Sequence, residues 1–218
     1  MKSSDIHTTI SILTEAVKEW KTPAVSIVSQ REGNPFKVLI SCILSLRTRD
    51  QVTGEASARL FTLADTPAKM GELSPEILAE TIYPVGFYRN KSVQIIEICR
   101  LLTEKYNGDV PDTIDELLSF KGVGRKTANL VVTLGFGSPG ICVDIHVHRI
   151  SNRLGYVSTR TPEETEYALR DKLPKKYWLG INDLMVTFGQ NLCAPVSPRC
   201  SICPLHLLCN RVGVGKSR

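Results

Sequence analysis

The sequence predicts an all-α fold, and three observations carry that prediction. Apolar residues recur at three- and four-residue steps rather than in alternation. Segment after segment opens with a helix-start signal, as in Thr66-Pro67, Ser74-Pro75, Thr113-Ile114-Asp115-Glu116 and Thr161-Pro162-Glu163-Glu164. Each supplies a side-chain oxygen able to accept from an unpaired helical N–H. Only a short piece near Ile141 to Val143 reads as extended.

Taken in order, Ile6, Ile10, Leu13, Val17 and Trp20 form one apolar stripe and predict a helix from Ser4 to Trp20. Asn34-Pro35 caps and starts a nearly all-apolar helix, Phe36 to Leu46, suited to the centre of a core. Its end, Ser45-Leu46-Arg47-Thr48-Arg49-Asp50, turns abruptly polar, and Asp50 can cap the next helix, which runs to about Leu63. Two short helices follow behind Thr66 and Ser74. The tight turn Tyr83-Pro84-Val85-Gly86-Phe87-Tyr88-Arg89-Asn90-Lys91 then enters a long helix that stops at Asn107-Gly108. Thr113 opens a short helix ending near Phe120, and Gly122-Val123-Gly124 leads into another from about Arg125 to Phe136. After Gly137-Ser138-Pro139-Gly140, Asp144 can cap a helix through Leu154, Thr161 opens the next, and Pro174 opens the last, through Leu192.

The chain has 218 residues, 42% hydrophobic and 22% charged, enough for one large or two modest domains with an ample core. Lys and Arg outnumber Asp and Glu by 27 to 22, a balance that tolerates a polyanionic partner without demanding one. The most apolar run, Val38 to Leu46, is too short to cross a bilayer. Met1-Lys2-Ser3-Ser4-Asp5 leads into an amphipathic pattern containing acids. Neither a signal nor a transit peptide is expected, and a cytoplasmic location is.

Helix, Gly-Val-Gly, helix reads as a helix-hairpin-helix. Gly122 and Gly124 permit positive φ and close approach of a ligand, while Val123 can fold inward between the helices. The hairpin amides, Lys121 and the start of the Arg125 helix together suit a backbone phosphate. An ordinary αα turn also uses glycines. Lys126 adds chemistry: the helix dipole and the adjacent Arg125 both favour its neutral amine, which can form a Schiff base with a sugar carbon. A phosphate-binding lysine is the competing reading. Asp144 follows after one helix and a return loop, and its carboxylate can take a proton or stabilise positive charge. That role is compatible with its serving as a helix cap. His146 and His148 read as helix-stabilising or phosphate contacts rather than metal ligands, and Lys91 as a second phosphate contact or a plain surface lysine.

Of seven cysteines, Cys42, Cys99 and Cys142 sit in apolar surroundings and read as core. Cys193, Cys200, Cys203 and Cys209 cluster among Pro195, Pro198 and Pro204, and four thiolates suit either Zn²⁺ or a [4Fe–4S] cluster. A single C-x2-C pair with uneven flanking spacing leans toward iron–sulfur.

Together these motifs resemble the endonuclease III family of DNA glycosylases, in the helix-hairpin-helix superfamily. The likeness runs from about Asn34 to Cys209 through Asn34-Pro35-Phe36, Gly122-Val123-Gly124-Arg125-Lys126-Thr127-Ala128-Asn129, Val143-Asp144, His146-Val147, Arg149 and the full cysteine spacing. The resemblance implies a six-helix domain over residues 24–136, a second helical domain from residues 1–23 and 137–218, and DNA between them. It implies a [4Fe–4S] cluster on Cys193, Cys200, Cys203 and Cys209, which shapes a basic loop at Pro198-Arg199 against double-stranded DNA. It also implies that a damaged pyrimidine is flipped out, that Lys126 attacks C1′ and expels the base, and that β-elimination nicks the strand, with Asp144 assisting. Adenine glycosylases of the superfamily lack such a lysine, which favours the bifunctional lyase type. A mismatch-type glycosylase and a non-catalytic iron–sulfur redox-sensing DNA-binding protein are the alternatives. The expected state is a nucleoid-associated monomer. Three residues depart from the family pattern: Arg47 stands for the usual Gln that fills the gap left by the flipped base, Phe87 for a leucine wedge, and Lys121 for a proline before the hairpin.

Overall fold

Asn34 shows how the capping signals work: its Oδ1 accepts from the amides of Phe36 and Lys37, at 2.9 and 3.3 Å, and Pro35 fills the first helical position. Thr66, Ser74, Thr113 and Thr161 do the same for the helices behind them. The structure, a computed structural model, describes residues 5–20 and 23–218, and for residues 30–32 the backbone alone. The expected helix start at Ser4, and the reading of Met1 to Ser4, lie outside the described residues.

The described elements are all helical, with no strand among them. In order they are α1 (Ile6–Val17), α2 (Ala24–Glu32), α3 (Pro35–Ser45), α4 (Asp50–Leu63), α5 (Pro67–Gly71), α6 (Pro75–Ile82), α7 (Tyr88–Tyr106), α8 (Ile114–Leu118), α9 (Arg125–Leu130), α10 (Ile145–Leu154), α11 (Pro162–Lys172) and α12 (Ile181–Asn191). The chain divides into two compact units, Ala24–Gly140 and Met1–Pro23 with Ile141–Arg218.

In the first unit α3 is the central element. Val38 to Leu44 are fully buried, and α2, α4, α7 and α9 pack around them. Cys42 and Cys99 are core residues here, as their apolar neighbours predict, and burial pushes both thiols up to about 12. In the other unit α12 packs against α1 and α10, and α10 against α11. Its core includes Ile10, Leu13, Ile150, Leu169, Met185 and Phe188.

Four elements differ from the sequence expectations. α2 was not anticipated, because its Ala24-Val25-Ser26-Ile27-Val28 start is β-branched and has no local cap. The cap comes from afar: Asp50 Oδ2 accepts from Ala24 N at 2.8 Å. Asp50 therefore serves α2, and the residue before α4 is Arg49, which makes no side-chain cap bond. Behind α9 the helix loosens into a π turn, Val131–Gly135. Pro174 does not open a long helix. Its ψ of 133° starts only a 3₁₀ turn, Lys175–Tyr177, and α12 begins at Ile181. Ile141 to Val143 are buried and run between elements without pairing into a sheet.

Candidate active site

The hairpin between α8 and α9 rests on one glycine more than the other. Gly122 has a φ of 78°, a left-handed conformation, and a Cβ there would lie 2.6 Å from Gln94 Nε2. That same Gln94 nitrogen donates to Lys121 O at 2.9 Å and fastens the hairpin to α7. Gly124 is in the ordinary extended region at φ −97°, so its value is the open space above it and the absence of a side chain at the start of α9. Val123 turns inward and is buried, with its N–H donating to Phe120 O at 3.0 Å. Val123 therefore shapes the hairpin from within, and its N–H is taken up inside the turn. Lys121 projects into solvent, with Nζ 3.5 Å from Glu97, a surface pair that holds it weakly.

Arg125 and Lys126 stand half-buried on the first turn of α9. The positive charge of Lys126 reaches two groups of its own unit, the buried Cys42 thiol and the Asp50 carboxyl. Burial raises Asp50 above the usual carboxylate range, against the opposing pull of the Ala24 N–H and of Lys126. From the sequence Asp50 reads as a helix cap only. Its relation to Lys126 depends on α3, α4 and α9 packing together, which no local pattern announces.

Arg47 and Phe87 both occupy the left-handed region, at φ 53° and 58°. Both side chains are exposed, and the Arg47 guanidinium carbon lies 5.5 Å from the centre of the Phe87 ring. The sequence singled them out separately; the fold stacks them. Lys91 requires a correction. It is neither a surface lysine nor placed to meet a phosphate, being only 5% exposed. Its Nζ donates inward to Leu44 O at 2.9 Å, Leu46 O at 2.6 Å and Thr48 Oγ1 at 3.3 Å.

In the other unit Asp144 caps α10, its Oδ1 accepting from His146 N and Val147 N at 2.8 and 2.9 Å. His146 Nδ1 meets Arg149 Nη2 at 3.0 Å, and the same guanidinium donates to Cys193 O and Gly189 O. His148 instead meets Thr165 at 2.7 Å, joining α10 to α11. Cys193, Cys200, Cys203 and Cys209 all line one cavity, walled by apolar groups that include Ile150, Leu154 and Phe188. Burial pushes the Cys203 thiol up to about 11, and the charges that Cys193, Cys209 and Cys200 would carry add to it. Among the described residues no three His, Cys, Asp or Glu side chains gather around one point as a single metal ion requires. Polar hydrogens nonetheless approach the sulfurs: Arg153 Nη1 lies 3.3 Å from Cys193 Sγ, and Arg211 N lies 3.4 Å from Cys209 Sγ. Arg199, between the first two cysteines, is exposed.

A hairpin with a lysine on the helix behind it, in an all-helical chain, defines a class. Residues 40–175 match the HhH-GPD superfamily of base excision DNA repair proteins, and this chain belongs to it. The chain is 51% identical over 193 residues to Endonuclease III of Thermotoga maritima, covering 87% of this chain and 91% of that relative. It is a member of the endonuclease III family. A solved non-covalent Endonuclease III–DNA complex matches 97% of this chain and 96% of its own, with a TM-score of 0.86 and 36% identity. A trapped Endonuclease III–DNA covalent intermediate matches 97% of each chain, with a TM-score of 0.80 and 35% identity.

Proposed function

We propose that this protein is a bifunctional DNA glycosylase and AP lyase of base excision repair, acting on oxidised pyrimidines of the thymine glycol type. The observation that carries this reading is Lys126, on the first turn of the helix behind the hairpin, in a chain 35% identical to one trapped covalently on DNA. A nucleophilic amine so placed acts once the duplex backbone is held by the hairpin amides of Gly122 and Gly124, with Val123 packed inward beneath them and Lys121, Arg125, His146 and Arg199 adding positive charge or hydrogen-bond donors. The Lys126 nitrogen attacks C1′ of the sugar. A C–N bond forms as the glycosidic bond breaks, and its electron pair leaves with the base, which takes up a proton. The sugar ring then opens: the amine nitrogen, having lost a proton, forms a double bond to C1′ as the C1′–O4′ bond breaks and O4′ takes up a proton. The iminium so formed acidifies the C2′ hydrogen, whose loss expels the 3′ phosphate and nicks the strand. Asp144 supplies the carboxylate that receives the amine proton and stabilises positive charge on the sugar. Arg47 and Phe87 fill the space a flipped base leaves.

The unit of residues 24–140 carries the hairpin and Lys126, and the unit of residues 1–23 and 141–218 carries Asp144 and the cysteine loop. We read these as the two domains of the enzyme. Four thiols around one cavity fit a [4Fe–4S] cluster, whose irons each take one thiolate. When bound, the cluster supplies structural cross-linking of the loop; Arg153 and the Arg211 amide offset negative charge on its sulfur ligands. No helix of the described residues is long and apolar enough to cross a membrane, and the enzyme works as a monomer on DNA in the cytoplasm, at the nucleoid.

Borohydride reduction on duplexes carrying an abasic site or thymine glycol tests the reading. Wild-type protein should give a covalent adduct mapping to Lys126, and Lys126→Gln none. Absence of any adduct from wild type, or an unchanged adduct from Lys126→Gln, refutes it.

A further inference from the structure

We propose that Lys91 is a positioning residue that locks the Arg47 loop to the Phe87 turn, so that the two side chains act as a single preformed plug. The functional part rests on the DNA reading above; the lock itself does not. An ammonium has three protons to donate, and Lys91 directs all three to oxygens: Leu44 O, Leu46 O and Thr48 Oγ1. The two carbonyls lie at the C-terminal end of α3, where the helix leaves acceptors unpaired and the dipole is negative. Lys91 is thus a C-terminal cap supplied in trans from the first turn of α7. The reach fixes the segment Leu46 to Thr48 against the helix that carries Phe87 at its start.

The link is made twice more. Gly86 N donates to Thr48 Oγ1 at 3.1 Å, and a Cβ on Gly86 would stand 2.5 Å from Arg47 O. The loops are therefore too close for any side chain at that position. Arg59 holds the far side of the turn, donating to Thr81 O at 3.0 Å and Tyr83 O at 2.6 Å. A bulky residue at positive φ is strained, and such strain persists only where the surroundings over-determine it. Arg47 and Phe87 both carry it, side by side and exposed, with Phe87 showing 59% of its surface. Neither exposed side chain stabilises the core. Fixing them in advance removes ordering entropy that a flexible pair would lose on entering DNA. Arg47 and Phe87 touch the duplex in this scheme; Lys91 acts only through them.

The test is a double-mutant cycle on a duplex containing a stable tetrahydrofuran abasic analogue, with an undamaged duplex as control. Lys91→Met should weaken binding to the abasic duplex about tenfold, a loss of the size expected when an interface must be ordered on binding, and leave undamaged-duplex binding unchanged. In an Arg47→Ala, Phe87→Ala background the Lys91→Met effect should vanish, because nothing is left to position. An equal loss in both backgrounds, or equal weakening on both duplexes, overturns the proposal. Should Lys91→Met fail to fold, Thr48→Val removes the Lys91–Thr48 and Gly86–Thr48 bonds while Lys91 keeps both carbonyls at the end of α3, and it is held to the same outcomes. Amide exchange of Gly86 reads the lock without DNA: its protection should fall in either variant, and unchanged protection overturns the lock. A wild-type protein that ignores the abasic duplex would refute the DNA reading while leaving that exchange result to decide the lock.

Discussion

Under the proposed function Asp144 has two separable jobs, a helix cap and a catalytic carboxylate, and two substitutions pull them apart. Its carboxylate accepts from two amides at the start of α10, at 2.8 and 2.9 Å, and the residue is 8% exposed. Asp144→Ala removes the cap, which is worth about 1–2 kcal/mol at a well-formed helix start, and with it a favourable charge at the positive end of the dipole, worth a few tenths to about 1 kcal/mol more. For a chain of this size 1 kcal/mol shifts Tm by about 2–4 °C, so Asp144→Ala should melt about 3–12 °C below wild type by calorimetry. Asp144→Asn keeps an oxygen for both amides and loses only the charge, so its Tm should fall by no more than about 4 °C. On chemistry the two should agree. Loss of a general base lowers a rate by about 100- to 10,000-fold, and both variants should release thymine glycol at least about 100-fold more slowly in single-turnover assays. Base release by Asp144→Asn at the wild-type rate would refute the catalytic role and leave a cap alone. Equal Tm values for Asp144→Ala and wild type would refute the cap as a source of stability.

Other consequences are as open to measurement. Gly122→Ala forces a Cβ toward Gln94 in a left-handed turn; it should cost about 1 kcal/mol or more of stability and weaken duplex binding, read by Tm and by anisotropy. The proposed cluster should give the purified protein a brown colour and visible absorption with iron and sulfide, which Cys203→Ser should abolish or lower, whereas Cys142→Ser, a core position, should leave them intact. Burial keeps the Cys42 and Cys99 thiols protonated to about 12 in the fold, against 9.0 in the unfolded chain. Between those values the unfolded state binds fewer protons, so stability falls as pH rises above 9; Cys42→Ala should flatten that fall in urea titrations, and native protein should resist alkylation at both sites.

The helices were legible because their signals are local. A threonine or serine three residues before the amide it caps needs no tertiary partner, and neither does the three-to-four spacing that put Leu13 and Ile10 on one face. The cysteine spacing and the hairpin were legible for the same reason. α2 escaped because its cap, Asp50, lies 26 residues away, and Pro174 misled because a proline that can open a helix can equally end at a single 3₁₀ turn. Lys91 was read as a surface group from its neighbours in sequence, yet the acceptors that take it inward belong to α3, more than forty residues back. By itself the sequence determined the all-helical fold, the hairpin with its lysine, and the four-cysteine loop. Only the tertiary structure decided that Lys91 faces inward, that Arg47 and Phe87 stack as a pair, and that Asp50 feels the charge of Lys126. Those properties depend on distances between segments remote in the chain, and burial and hydrogen-bond supply are set by which segments meet.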